Sequence, residues 1–158
     1  MKAVMCTRLG GPEVLELRDV EAPTPRAGEA TVRVEAAGLN FPDLLMIKGA
    51  YQFQVPPPFI PGHELAGTVT AVGPEVEGLS VGQRVVGNLA WGAFAEEASV
   101  VADALIPLPG SFSFHEGAAM LLTYATSHFA LTDRARLRRH ETVVVLGAAG
   151  GVGIAAVQ

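Results

Sequence analysis

The chain has 158 residues, of which 49% are hydrophobic and 17% charged, enough to bury one globular core and to exclude a disordered chain. A formal net charge of −5 argues against nucleic acid or an anionic membrane as a partner. With Cys6 as the single cysteine, neither an internal disulfide nor a cysteine-rich zinc lobe can form. The first residues predict a strand rather than a signal peptide, and no apolar run reaches the roughly 18 residues of a membrane span, so we expect a cytoplasmic protein.

Short runs of β-branched residues separated by glycine and proline predict an irregular β-barrel or sandwich from Lys2 to about Pro109. The predicted strands are 2–6, 14–20, 30–36, 65–72, 84–87 and 94–100. One short helix is predicted over 41–48, because Pro42 suits a first helical turn. The proline-rich stretch 51–61 cannot be a central strand and is predicted to be a stiff loop.

A helix of about twenty residues is predicted to begin at Ser113. Ser113 and Glu116 have the spacing of a capping box, and apolar residues then recur on one helical face. These apolar residues are Ala118, Leu122, Ala125 and Phe129. We expect the boundary between two domains to fall in this helix, with one domain over 1–125 and the start of a second over 126–158.

The end of the sequence has the pattern that opens a dinucleotide-binding fold. The β-branched run 142–146 suits a parallel strand covered on both faces, and a glycine turn and a helix follow. Backbone N–H groups of such a turn approach a pyrophosphate closely, and the positive end of the helix favours the anion. The predicted cofactor-binding residues are Gly147, Ala148, Ala149, Gly150, Gly151, Val152 and Gly153. The alternative is a purely structural glycine turn.

Two observations narrow the kind of nucleotide site that the glycine turn can form. No Gly-Lys-Ser/Thr follows the glycine turn, so a P-loop is excluded. The residue that reads the ribose is expected roughly 20 residues beyond the glycines, and it is not in this sequence.

Five segments match one family pattern and together cover almost all of the chain. They are 37–43, 61–64 with Gly67 and 71–73, 81–85, 126–131, and 148–153. The chain thereby resembles the medium-chain dehydrogenase/reductase superfamily. The resemblance implies a mainly β fold with helices, in which a GroES-like irregular β-barrel is the catalytic domain over 1–125. The first strand, turn and helix of a truncated Rossmann α/β domain then follow.

Within that superfamily, zinc alcohol dehydrogenases and zinc-free quinone reductases differ at a few positions. Asn40 and Leu122 stand where zinc enzymes have cysteine ligands, and only His63 of the three ligand positions is retained. One imidazole with Glu64 beside it cannot supply the three protein ligands of a catalytic zinc. Pro42 stands where alcohol dehydrogenases have a proton-relay hydroxyl. The resemblance therefore implies no metal site and disfavours zinc-dependent alcohol oxidation.

The remaining resemblance is to the zinc-independent NADPH:quinone oxidoreductases. It implies hydride transfer from NADPH to a quinone or a similar electron-poor alkene or carbonyl. By the same resemblance, Asn40 lies by the nicotinamide, Tyr51 lines the cleft and Thr126 contacts the cofactor carboxamide. His63 could polarise a substrate carbonyl or donate a proton. Asn40, Tyr51 and His63 are therefore the predicted catalytic residues, and Asn40 and Thr126 join the predicted cofactor-binding residues.

Each site residue also has a structural alternative. His63 could hydrogen-bond Asp43 or Glu64 as the remnant of a metal site, and Asn40 could be a helix N-cap. Thr126 could be a satisfied core hydroxyl. Many members of the family carry Ser or Met in place of His63, which leaves the substrate open.

Three other functions also stay open. The chain could be an enoyl-thioester reductase, a zinc alcohol dehydrogenase relative, or a non-catalytic GroES-like interaction module. Because the strand over 142–146 would lack a neighbour, we expect a homo-oligomer such as a dimer, or a frayed C-terminus. We also expect these residues alone to be inactive with NADPH.

Overall fold

An antiparallel five-stranded sheet forms the centre of the first of two compact units. The computed structural model describes residues 1–158, and the units are Met1–Ala118 and Ala119–Gln158. The strands are β1 (Lys2–Cys6), β2 (Leu15–Asp19), β3 (Glu29–Gly38), β4 (Glu64–Val72), β5 (Arg84–Asn88), β6 (Glu97–Val101) and β7 (Leu105–Pro107). The helices are α1 (Phe41–Ile47), α2 (Phe114–Ala118), α3 (Leu121–Phe129), which continues as a π-helix over Ala130–Arg134, and α4 (Gly151–Val157). The predicted mainly β fold with helices is confirmed.

Strand order places β4 at the middle of the large sheet. The order is β6-β3-β4-β5-β7, while β1 and β2 form a separate two-stranded ribbon. Val32 on β3, Leu65 and Val69 on β4 and Val85 on β5 are almost completely buried and form the main core. Because successive side chains of a strand point to opposite faces, residues such as Arg33 remain exposed beside this core.

A second, smaller core fixes helix α1. Met46 and Ile47 of α1 pack with Val14, Cys6 and Phe59. Cys6 and Phe59 exchange two backbone hydrogen bonds, of 2.8 and 3.2 Å, which attach the long loop before β4 to strand β1. Burial raises the pKa of the Cys6 thiol. The C-terminal end of α1 is held against the N-terminal ribbon by this packing.

The predicted helix of about twenty residues forms over 114–134, but it is interrupted at residues 119–120. Helix α2 ends at Ala118 and α3 begins at Leu121, with a turn between them. Glycine is a poor helix former. Gly117 stands where the backbone of α2 lies close to the sheet. A Cβ added to Gly117 would lie 2.7 Å from Val86 Cγ1. Gly117 thus lets α2 pack closely on β5.

The predicted strand over 142–146 is wrong, although the turn and the helix after it form. These residues have no strand pairing, and Val144 and Leu146 are 79% and 90% exposed. A parallel strand needs a neighbouring strand for its hydrogen bonds, and the second unit contains none. The β-branched composition alone cannot supply that neighbour.

No helix of the structure combines the length and the apolar character needed to cross a membrane. The cytoplasmic location stays a prediction.

The predicted capping box at the start of α2 is present. The backbone N–H and the hydroxyl of Ser113 each donate to Glu116 Oε2 at 2.7 Å, and the Glu116 N–H donates to Ser113 Oγ at 3.2 Å. The two hydrogen bonds from Ser113 lower the pKa of Glu116. A lowered folded-state pKa means that the unfolded chain binds the proton more tightly. The stabilisation is therefore complete above the unfolded-state pKa and is lost as the pH falls through the folded-state pKa.

We accordingly expect the melting temperature of Glu116→Gln to fall less than that of the wild type between about pH 7 and about pH 3, since the amide does not titrate. Circular dichroism at each pH measures the difference. Glu77→Gln removes an exposed carboxylate that accepts no hydrogen bond and serves as the control. An equal fall of the melting temperature in Glu116→Gln and in the wild type would contradict the expected link between the Glu116 pKa and stability.

Candidate functional site

Three charged or titratable side chains are buried together in the first unit. Asp43 in the first turn of α1, His63 just before β4 and Glu64 at the start of β4 are 2%, 4% and 1% exposed. Buried polar groups are expensive unless they are hydrogen-bonded, so their partners define what the cluster can do.

Asp43 holds the imidazole of His63 in one orientation. His63 Nδ1 lies 2.6 Å from Asp43 Oδ1, while Asp43 Oδ2 accepts the backbone N–H of Asn40 at 2.7 Å. A carboxylate only accepts hydrogen bonds, so Nδ1 carries the proton of this bond. His63 Nε2 is buried and has no hydrogen-bond partner. The structure therefore presents one imidazole nitrogen that is oriented but unsatisfied.

Asn40 connects the start of α1 to the same cluster. It is the N-cap residue of α1, as the structural alternative anticipated. Its side-chain Nδ2 donates to Glu64 Oε2 at 3.1 Å and to the Gly38 carbonyl at 3.4 Å. Asn40 thus contacts Glu64 with its side chain and Asp43 with its backbone.

Tyr51 borders His63 on another side. Their ring centroids are 5.5 Å apart with the rings at 74°, an edge-on contact. The three predicted catalytic residues, Asn40, Tyr51 and His63, therefore lie in one connected group with Asp43. Their catalytic roles stay predictions.

Gly38, at the end of β3, is the point where the backbone approaches this group most closely. A Cβ there would lie 2.3 Å from the Ala118 carbonyl oxygen and 2.8 Å from Glu64 Oε2. We expect Gly38→Ala to lower the free energy of unfolding by about 1–3 kcal/mol, because the backbone at Ala118 must move. Gly110→Ala, where the added methyl meets nothing within 4 Å, is the matched control in urea denaturation. Equal stabilities of the two variants would contradict the predicted crowding.

The glycine turn of the second unit has the backbone freedom that phosphate binding requires. Gly147 has a φ of +73°, which favours glycine, and a Cβ there would meet nothing within 4 Å. A Cβ on Gly153 would lie 2.2 Å from the Gly147 carbonyl oxygen, so the turn closes tightly on itself. At Gly150 only the Gly147 carbonyl oxygen lies near, at 3.5 Å. An open backbone at Gly147 and Gly150 fits a pyrophosphate.

Thr126 and Ser127 lie next to each other on α3 with different surroundings. Thr126 is exposed rather than part of a core. Ser127 is buried, and its hydroxyl donates to the Val152 carbonyl at 2.7 Å. This bond ties α3 to the start of α4. Sequence reasoning missed it, because a serine near a helix end carries no signal for a distant carbonyl.

The side chains around His63 do not assemble a zinc ligand set. No group of three or more His, Cys, Asp or Glu side chains could hold a metal ion. The free Nε2 of His63, with Nδ1 held by Asp43, could itself ligate a metal, but Asn40 supplies no thiolate beside it. The residues present therefore do not fit a catalytic zinc.

Comparisons of the sequence and of the structure with known proteins point to the same family. Residues 26–110, more than half of the chain, match the alcohol dehydrogenase GroES-like domain. A quinone oxidoreductase of Mus musculus is 38% identical over 160 residues, covering 100% of this chain and 48% of that protein. The chain therefore spans about half the length of this relative.

Two solved structures resemble the chain closely. One is the human synaptic vesicle membrane protein VAT-1 homolog-like protein, with a TM-score of 0.96 and 36% identity, covering 99% of this chain and 50% of that one. Another is the quinone oxidoreductase of Thermus thermophilus, described with its NADPH complex. Its TM-score is 0.87 and its sequence identity is 43%. The match covers 99% of this chain and 48% of that one. The chain therefore belongs to the alcohol dehydrogenase GroES-like domain family of the medium-chain dehydrogenase/reductase superfamily, with quinone oxidoreductases among its relatives.

Proposed function

We propose that the protein is an NADPH-dependent, zinc-independent oxidoreductase that transfers a hydride to a quinone or a similar electron-poor alkene or carbonyl. The observation that carries this proposal is the unpartnered, buried Nε2 of His63, oriented by Asp43 and bordered by Tyr51. Relatives named quinone oxidoreductase support the reaction, and a relative described in complex with NADPH supports the cofactor.

His63 supplies the proton in this reaction. Bound NADPH supplies the hydride, and the acceptor needs one proton to complete a two-electron reduction. Protonated Nε2 donates to the acceptor oxygen, after which solvent restores the proton. Asp43 remains on Nδ1 throughout, so the imidazole keeps its orientation as its charge changes. Tyr51 borders the acceptor, and the amide of Asn40 is a donor and acceptor for the nicotinamide carboxamide or ribose.

The glycine turn is the proposed site for the cofactor phosphates. Gly147 and Gly150 leave open space beside the backbone, and Gly153 lets the turn close tightly. The other residues of the turn supply backbone N–H groups for the phosphates. They are Ala148, Ala149, Gly151 and Val152. Thr126, exposed on α3, is the proposed partner of the cofactor carboxamide. We also propose that residues 1–158 alone do not oxidise NADPH, because they hold only this turn of the dinucleotide site.

A quinone-dependent loss of NADPH absorbance tests the proposal. The full-length gene product is expected to consume NADPH faster than NADH when a benzoquinone is added, and residues 1–158 alone are expected to consume none. His63→Gln should lower kcat for quinone reduction, whereas the exposed His115→Gln should leave it unchanged. No quinone-dependent consumption by the full-length product would refute the proposal. Reduction of an unsaturated thioester but of no quinone would instead favour the enoyl-thioester alternative.

We propose further that residues 1–158 by themselves form a homo-oligomer such as a dimer. Val144 and Leu146 are 79% and 90% exposed beside backbone groups without strand partners, and such a segment favours association. Light scattering of residues 1–158 should give about twice the chain mass of 16.4 kDa. A monomer with strong amide protection through Val145 would contradict this expectation.

A further inference from the structure

A cavity of about 400 Å³ lies in the first unit, apart from the candidate site. Its walls come from strand β1, from the loops before β4 and after β5, and from the start of β6. None of Asn40, Tyr51 and His63 lines it. Cavities of this volume hold small organic ligands in many proteins. The cavity is therefore separate from the proposed catalytic residues and has the size of a small-molecule site.

The lining of this cavity is mostly apolar. Phe59 is 5% exposed and Trp91 is 46% exposed, so the cavity runs from the core to the surface. Met1 and Met5 also line it, and methionine side chains are flexible and polarisable enough to follow ligands of different shape. An apolar ligand body placed here loses its contact with water, which favours binding.

Glu97 is the one residue with an acidic or basic side chain in this lining. It faces Arg33 across the β3–β6 pair, but Arg33 Nε donates to Glu35 Oε1 at 2.9 Å. The partly buried carboxylate of Glu97 has neither an ion pair nor a hydrogen bond. A carboxylate only accepts hydrogen bonds, and it accepts the strongest ones from charged donors. The ligand group that suits Glu97 is therefore a protonated amine.

A second cavity, of about 480 Å³, adjoins the first, since Met1 and Glu97 line both. Its lining adds Arg33, Glu35 and Glu96. Arg33 and Glu35 pair with each other, which leaves the carboxylates of Glu96 and Glu97 against the single ammonium of Met1. That ammonium already donates to a backbone carbonyl at 2.8 Å. The charge at the junction of the two cavities is thus negative.

We propose that the 400 Å³ cavity binds a small organic cation. Its apolar body fills the space beside Met5, Phe59 and Trp91, and its protonated amine lies at Glu97. The indole of Trp91 favours the same charge, since cations are attracted to the faces of aromatic rings. The site shares no residue with the proposed catalytic group, so the proposal does not depend on the proposed reaction.

Three probes with one apolar body test the preference for positive charge. They are phenylbutylamine, phenylbutanol and phenylbutyrate, and each is titrated into the chain with isotope-labelled methionine methyl groups. The NMR signals of Met1 and Met5 should move saturably, while that of Met120, which lines neither cavity, stays in place. The amine is expected to bind about 2- to 5-fold more tightly than the alcohol, and the carboxylate more weakly than the alcohol.

Glu97→Gln locates the source of this preference. It should lower the affinity for the amine to about that for the alcohol, whereas the exposed Glu77→Gln should keep the wild-type preference. Equal affinities of the wild type for amine and alcohol would overturn the proposal, as would an unchanged preference in Glu97→Gln. An absence of saturable shifts at Met1 and Met5 with all three probes would also overturn it. The titrations contain neither NADPH nor a quinone, so failure of the proposed reaction would leave their outcome unaffected.

Discussion

Asp43→Ala is expected to lower the free energy of unfolding by about 2–5 kcal/mol. The substitution removes the acceptor of two hydrogen bonds at once, that from His63 Nδ1 and that from the Asn40 backbone N–H. Both donors lie where little water can replace the lost carboxylate, since His63 is 4% exposed. Urea denaturation at neutral pH measures the loss.

Asp103→Ala is the control for this prediction. Asp103 is exposed and its carboxylate accepts no hydrogen bond, so its removal should change the stability by no more than about 0.5 kcal/mol. If Asp43→Ala were as stable as Asp103→Ala, the buried pair would contribute nothing to the fold. The orientation of His63 by Asp43 would then lose its physical basis.

Leu65→Ala is expected to cost about 2–5 kcal/mol, because it opens a cavity at the centre of the sheet. Leu65 is completely buried on β4, paired with Ala37 on one side and Gly87 on the other. Its Cδ1 would lie 3.6 Å from a Cβ at Gly87, at ordinary van der Waals distance. The effect is measured as the shift in the urea midpoint.

Leu17→Ala removes the same atoms from an exposed strand. Leu17 is 67% exposed on β2, so this variant should lose much less stability than Leu65→Ala. Similar losses in the two variants would show that β4 is not the centre of the core. The loss of Leu65 should also reach the site, because Glu64 is its neighbour in the chain.

Sequence reasoning identified the features that are encoded by near neighbours. Ser113 and Glu116 lie three residues apart, so their capping box could be predicted from spacing. Helix α1 begins as predicted, because Pro42 and the N-cap Asn40 are local signals. The sequence left two hydrogen-bond partners open for His63, Asp43 and Glu64, and the structure shows the bond to Asp43.

Features that depend on distant partners could not be predicted in this way. Strand β7 has three residues and exists through its pairing with β5, and its own sequence carries little strand signal. The run over 142–146 has strong strand composition but no partner strand in its unit. Trp91 and Phe53 come from two loops separated by a whole strand pair, so their ring contact is visible only in three dimensions.

Isotopic labelling of the cofactor follows the transferred hydride itself. NADPH carrying deuterium at C4 of the nicotinamide, labelled in turn on each face, is incubated with the full-length gene product and an electron-poor enone. One of the two labelled cofactors is expected to give a product one mass unit heavier, because the hydride arrives on carbon, where it does not exchange with water. A reduced product that carries no deuterium from either cofactor would contradict hydride transfer as the reaction of this protein.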